Sequence, residues 1–292
     1  MTFRRRATLL GLLASVCVCV TPALPAGAAA PPGNAVPPAD GIANTGVADT
    51  GVPHWQPLPQ DAAKVAAKLQ SFAEYKKARA AANANAGAAS PMRLCTREQP
   101  CGDSNQLPYV AMHPEGDGNR DPATGRPKTY TCGPAASRNV WLSMSGQDIP
   151  EHQWEIWEQT SPTTGTLIGN IANAMNAHTS AYWSVYTPRS AADLFWAIGA
   201  DIDTNQAVIP NVQTVYLSFW GGHRALHYNM IYGYQHYTSS NPTILFGEEY
   251  DPVFTFGYLP PSYPVDPYGW HQEYLSNTWT AVHNSPSQSV VF

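Results

Sequence analysis

The spacing of apolar positions divides the chain into a leader, a tethered helix and one long globular region. Residues 31–57 are rich in Pro, Gly and Ala without apolar periodicity and read as a linker. From Asp61 to about Ala82, Ala62, Val65, Ala66, Leu69, Phe72 and Ala73 recur at helical spacing, with Lys64, Lys68, Lys76 and Lys77 on the outer side, so one amphipathic helix is expected. An Asn- and Ala-rich run from Ala80 to Ser90 then forms a second linker. Residues 31–90 are thus a linker carrying one helix, which could be a propeptide helix, a helix packed on the domain or a tether to a partner. The main domain is expected over 91–292, with no internal repeat.

The first half of that domain carries helical patterns: one after Cys132, ended by Gly146, then Glu151 to Gln159, Thr164 to Ala177, and Ala191 to Ile198, closed by Gly199. The second half carries strand patterns: Thr214 to Trp220, His227 to Tyr237 and Thr243 to Tyr250. Helices first and strands after predict an α+β domain, an antiparallel sheet packed on a helical layer.

The N-terminus reads as a cleavable secretory leader over residues 1–30: Arg4 to Arg6, an apolar run from Ala7 to Val20, and Ala28 to Ala30 as a small-residue cleavage site. The run is shorter than the roughly 20 residues a membrane span needs, and no later stretch approaches that length. A secreted, extracellular protein without membrane anchoring is expected. Loss of the leader's three arginines takes the formal net charge from −5 to −8, which argues against nucleic acid or an anionic membrane as partner. With 43% hydrophobic residues, 9 Trp and 15 Tyr, the rest is a packed protein rather than a disordered one.

Cysteine usage sharpens the picture. Cys17 and Cys19 leave with the leader. Cys95 and Cys101 sit in the polar loop CTREQPC and are expected to form a disulfide in an oxidising compartment, which leaves Cys132 single. Cys132 lies in TYTCGPAASRNVWLSMSG, where Gly133 permits a tight turn, Pro134 suits a first helical position, and Ala136, Val140 and Met144 form an apolar stripe. A thiol at a helix N-terminus gains thiolate character from the dipole, whereas a buried free Cys can also act as a small hydrophobe. Of the nine histidines, His227 begins the alternating strand HYNMIYGYQ and is the best-placed base; His223 competes, and His54 lies in the linker. Asp251 ends the strand TILFGEEY ahead of Pro252 and is the first candidate for a carboxylate that orients the imidazole, with Asp266 in reserve; a strand-end Asp before Pro is also a common turn former.

CGPAA opening a helix, HYNMIYGY on a strand and a strand ending in DP, in that order over roughly residues 125 to 255, resemble the papain-like cysteine peptidases related to the bacteriocin-processing, double-glycine leader peptidases. The resemblance implies a papain-like fold with Cys132 as nucleophile, His227 as general base and then acid, and Asp251 as orienting group. The family's Gln about six residues before the nucleophile, which helps bind the oxyanion, is replaced by Arg126; Gln106 and Tyr130 are the alternative donors. Losing one such donor typically costs about 100- to 1000-fold in rate.

Other patterns add little. His223 and His227 are four apart, but Arg224 and the strand context exclude the helical zinc-protease motif, so no metal and no other cofactor is expected. Glu248 and Glu249 should point to opposite faces of one strand, which disfavours a paired-carboxylate glycosidase. The aromatic and Pro-rich stretch from Tyr250 to Trp279 could wall a peptide or glycan site, or be a long loop packed by its own rings. These features predict a secreted thiol hydrolase acting on peptide or protein substrates. The alternatives are a catalytically silent papain-like module that binds a cell-wall or protein partner, and an acyltransferase using the same three residues.

Overall fold

Cys132 opens a helix that is buried along almost its whole length, and the rest of the molecule is arranged around it. The computed structural model describes residues 55–85, 104–237 and 239–292. The leader, His54, the linker up to residue 54 and the Cys95–Cys101 pair lie outside the described residues.

In chain order, helix α1 spans Ala62–Asn85. After the short strand β1 (Asn105–Gln106) come α2 (Cys132–Ser145), α3 (Glu151–Trp157), α4 (Ile168–His178), β2 (Val185–Tyr186) and α5 (Ala191–Ile202). Strands β3 (Ile209–Gln213), β4 (Leu226–Tyr228), β5 (Met230–Gln235) and β6 (Thr243–Glu248) follow, then α6 (Pro252–Phe256), β7 (Gly269–Tyr274), α7 (Leu275–His283) and β8 (Val290–Val291). The strands form two antiparallel sheets, β1-β5-β6-β7 and β2-β8-β3-β4. The α+β layout is as expected, with two sheets in place of one.

Helix α2 ends as its sequence requires: Gly146 has φ 72° and its N–H bonds to the Leu142 carbonyl, a left-handed cap open to glycine at little cost. Its start differs from expectation. The helix begins at Cys132 rather than Pro134, and the Pro134 nitrogen falls among the first-turn positions that lack a helical acceptor anyway. Gly133 makes no tight turn; it lets this first turn approach Thr166, whose side chain would lie 2.7 Å from an added Cβ.

Three other elements depart from the sequence reading. Gly199 sits inside α5, because Leu194, Phe195, Ile198 and Ile202 are all buried and their packing outweighs the roughly 1 kcal/mol cost of an internal glycine. The stretch Thr214–Trp220 forms two 3-10 turns, and the strand before it is β3, whose Asn211 and Val212 are buried against β4. The single strand expected over His227–Tyr237 is two, divided at Asn229: β4 pairs with β3, whereas β5 pairs with β1 and β6. That division takes His227 out of the β5–β6 ladder, while its ring still reaches Glu248 at the end of β6.

Helix α1 belongs to the same body as the domain. Val65 and Phe72 are buried, and Phe72 joins the cluster that contains Leu194, Ile198 and Phe292. Leu69, expected inside, is exposed, and Lys68, expected outside, is buried with its ammonium 2.6 Å from Asp201. The helix face against α5 is therefore the 65-68-72 row, which also brings Lys76 to Asp193 at 2.6 Å. Burial raises the Asp201 carboxyl to about 6, with Lys68 acting against the shift. Replacing Lys68 with alanine leaves that carboxyl buried and unpaired, and should lower stability by about 3–5 kcal/mol in a denaturant titration.

Candidate functional site

Cys132 is fully buried at the first turn of α2, packed with Ala136, Leu107, Tyr228 and Met230. His227 is equally buried on β4, opposite Val212. The two share neighbours: the Tyr228 backbone N–H, one residue from His227, is turned to the Cys132 sulfur, and Glu115 and Glu248 act electrostatically on both residues.

The carboxylate at the imidazole is Glu248, not Asp251. His227 Nε2 lies 2.7 Å from Glu248 Oε1, and both side chains have no exposed surface. Glu248 is fixed by three further donors: the Tyr250 N–H at 2.9 Å, Trp220 Nε1 at 3.0 Å and Asn229 Nδ2 at 3.3 Å. Trp220 also sets its ring edge-on to the imidazole, with centroids 5.3 Å apart. The other ring nitrogen, His227 Nδ1, is buried and has no hydrogen-bond partner.

Asp251 instead caps α6. Its Oδ1 accepts the Phe254 N–H at 2.8 Å, so Asp-Pro here is a helix start, with proline in the first turn, rather than a strand tip. Asp266 is exposed and accepts the Tyr268 N–H within its own loop. His223 has Nδ1 3.1 Å from the Ser262 carbonyl, its ring stacked on Tyr263 and on Trp220, and its Nε2 buried without a hydrogen-bond partner.

Glu249 was expected on the face opposite Glu248, yet both carboxylates are buried beside the same ring, Glu249 Oε1 being 3.9 Å from His227 Nε2. Strand β6 ends at Glu248, so the alternation of faces does not extend to Glu249. Glu115 adds a third carboxylate, with Oε1 accepting the Thr131 N–H at 2.8 Å. Neither candidate oxyanion donor joins the buried group. Gln106 is exposed on the edge strand β1 opposite Gly233, and the Tyr130 phenol is engaged by Lys128, which bonds Glu155. Arg126 is exposed in a turn closed on Asp121.

Electrostatics at the start of α2 run against the expected thiolate. Burial pushes the Cys132 thiol well above its ordinary value, Glu115 adds to the shift, and the Tyr228 N–H opposes it. For His227, burial alone would lower the imidazolium, but Glu248 and then Glu115 outweigh it and the net shift is upward. Burial also raises Glu115 to about 8, Glu151 to about 7 and Glu158 to about 8.

These shifts share a sign. Each carboxyl holds its proton in the folded state at pH values where the unfolded chain, near 4.5, has released it. Stability is therefore full below about pH 4.5 with respect to these groups and falls as pH rises toward 8, and His227 contributes in the same direction. The melting temperature should be higher at pH 5 than at pH 8, by an amount corresponding to at least a few kcal/mol.

No protein-family model and no curated protein matches the chain. Solved structures similar to it include those of cysteine proteases. The proform of the ragweed pollen allergen Amb a 11 has 10% identity and a TM-score of 0.41 over 68% of this chain and 66% of its own. Recombinant stem bromelain precursor has 8% identity and a TM-score of 0.39 over 80% and 93%. Bromelain from Ananas comosus in complex with the E64 inhibitor has 9% identity and a TM-score of 0.38 over 66% and 98%. Likeness at this level is distant, and the chemistry of the site is read from its own residues.

Glu248 and Glu115 carry the site as much as the residues expected from the sequence. One signal for Glu248 was present: two adjacent glutamates close a mostly apolar strand, TILFG, where carboxylates brought inside need partners. Glu115 lies in an irregular segment, and nothing local marks it.

Proposed function

We propose that the protein is a papain-like thiol hydrolase acting on peptide or amide bonds, with Cys132 as nucleophile, His227 as base and then acid, and Glu248 as orienting carboxylate. The observation that carries this reading is the state of the His227 ring: Nε2 is tied to a buried carboxylate at 2.7 Å, while Nδ1 has no partner. That leaves Nδ1, which has no bonded partner, Cys132 Sγ included, as the nitrogen that would take the thiol proton.

In the proposed cycle, His227 takes the thiol proton and the sulfur attacks the carbonyl carbon. Collapse of the adduct breaks the C–N bond as His227 protonates the leaving amine, giving a thioester. Water, losing a proton to His227, then hydrolyses the thioester and restores the thiol. The Cys132 backbone N–H, in the first turn, is the natural oxyanion donor. With Gln106 and Tyr130 elsewhere, a slow turnover is expected. Secretion after removal of residues 1–30, a peptide or protein substrate, and a propeptide role for part of residues 31–90 complete this reading.

A second reading, a silent papain-like binding module, is favoured by one observation: the sulfur has no exposed surface and its thiol is shifted upward. Iodoacetamide labelling at mildly acidic pH, read by intact mass of the secreted protein, separates the two. Prompt single labelling at Cys132, together with peptide hydrolysis, supports the hydrolase; a thiol that labels only after unfolding supports the module. Added amine acceptors, with product analysis, distinguish acyl transfer from hydrolysis.

A further inference from the structure

The second buried glutamate at the imidazole has no place in the proposed hydrolysis, and its environment is unusual. Neither oxygen of Glu249 accepts a hydrogen bond from another residue, although both are buried. The Asn229 Oδ1 and Glu115 Oε2 oxygens are likewise buried and unpartnered. Carboxylate groups removed from water need a partner, a proton or a cation.

One ligand atom from each of His227, Glu248 and Glu249 can be chosen so that all lie within 4.8 Å of one another. The imidazole Nε2 stands 2.7 Å from one carboxylate oxygen, a hydrogen bond whose proton an ion would replace with a small widening, and 3.9 Å from the other. The set is one imidazole nitrogen and two carboxylates, drawn from the tip of β6 and from β4. It is unrelated to the helical two-histidine motif that the sequence lacks. An imidazole donor suits zinc and its transition-metal neighbours, whereas calcium and magnesium favour oxygen alone. Glu248 is held in orientation by Trp220 Nε1 and the Tyr250 N–H, the kind of outer support that metal-ligating carboxylates receive.

We propose that His227, Glu248 and Glu249 bind a divalent transition-metal ion of the zinc class, and that the bound ion inhibits the thiol chemistry. The inhibition rests on the hydrolase reading, because a cation on Nε2 makes Nδ1, the nitrogen that takes the thiol proton, a much weaker base. The binding does not rest on it.

Cobalt(II), added to the full-length secreted protein, is the probe, because its visible absorption reports the ligand field without any need for activity. Wild type and Cys132→Ala should both bind one cobalt ion per chain, and zinc should displace it. Glu249→Gln is isosteric and removes a carboxylate that holds no hydrogen bond from a neighbour, so it should fold; it should bind cobalt at least about tenfold more weakly. His227→Asn should lose binding as well. Absence of cobalt binding in wild type, or equal affinity in wild type and Glu249→Gln, overturns the site. Where hydrolysis is measurable, zinc should inhibit wild type at concentrations at least about tenfold lower than Glu249→Gln; equal inhibition overturns the regulatory part alone.

Discussion

Replacing Cys132 with alanine should reduce peptide hydrolysis by about 10⁴-fold or more, while the protein stays folded. The expected structural cost is modest, about 1 kcal/mol, because Cys132 sits in an apolar cluster with Ala136 and Leu107 and the substitution removes only its sulfur atom. The same variant should lose all alkylation by iodoacetamide among the folded protein's thiols outside the Cys95–Cys101 pair. Retention of hydrolysis would remove Cys132 from the chemistry, whatever the shape of the domain.

The second large effect separates two carboxylates. Glu248→Gln keeps the size of the side chain but removes its charge from the His227 ring, and the analogous neutralisation of an orienting carboxylate lowers kcat by about 10⁴-fold. Asp251→Ala should leave kcat within about twofold of wild type and cost about 1 kcal/mol of stability through loss of the α6 cap. The pH profile carries a further signature. Burial pulls the imidazolium down and Glu248 is the largest influence raising it, so Glu248→Gln should move the acidic limb of kcat/KM, where the imidazole becomes free to take the thiol proton, to lower pH. A purely structural role for Glu248 would change the amount of folded enzyme without moving that limb.

The reversal of these two carboxylates illustrates which parts of the site the sequence carries. Cys132 and its helix are legible because the signals are local: an apolar stripe at helical spacing, proline in the first turn and a glycine that can adopt φ 72° at the end. His227 is legible as a strand residue through the alternation that follows it. Its partner is not, because Asp-Pro serves equally as a strand end and as a helix cap, and which carboxylate reaches the ring is decided by how β4 of one sheet meets the end of β6 in the other. The break at Asn229 has the same origin. Apolar alternation runs through it without interruption, yet the two halves pair with different strands.

Helix α1 offers a parallel lesson. Periodicity locates the helix within a few residues, but assigns Lys68 to solvent and Leu69 to the core, and the structure reverses them. A lysine is brought inside when a buried acid waits opposite, and Asp201 lies on a helix 133 residues further along the chain, beyond the reach of any local pattern. Strands of two residues such as β1, β2 and β8 are similarly invisible, since they exist only through pairing with longer neighbours.

The central claim, that His227 shares a proton with Cys132, is tested most directly by the pH dependence of Cys132 alkylation in wild type and in His227→Asn, each normalised to its own rate at pH 9. Coupling to the imidazole predicts that the wild-type rate falls clearly less between pH 9 and pH 6 than that of the variant, which, left with an ordinary buried thiol, loses about a hundredfold or more. Superimposable profiles would contradict it.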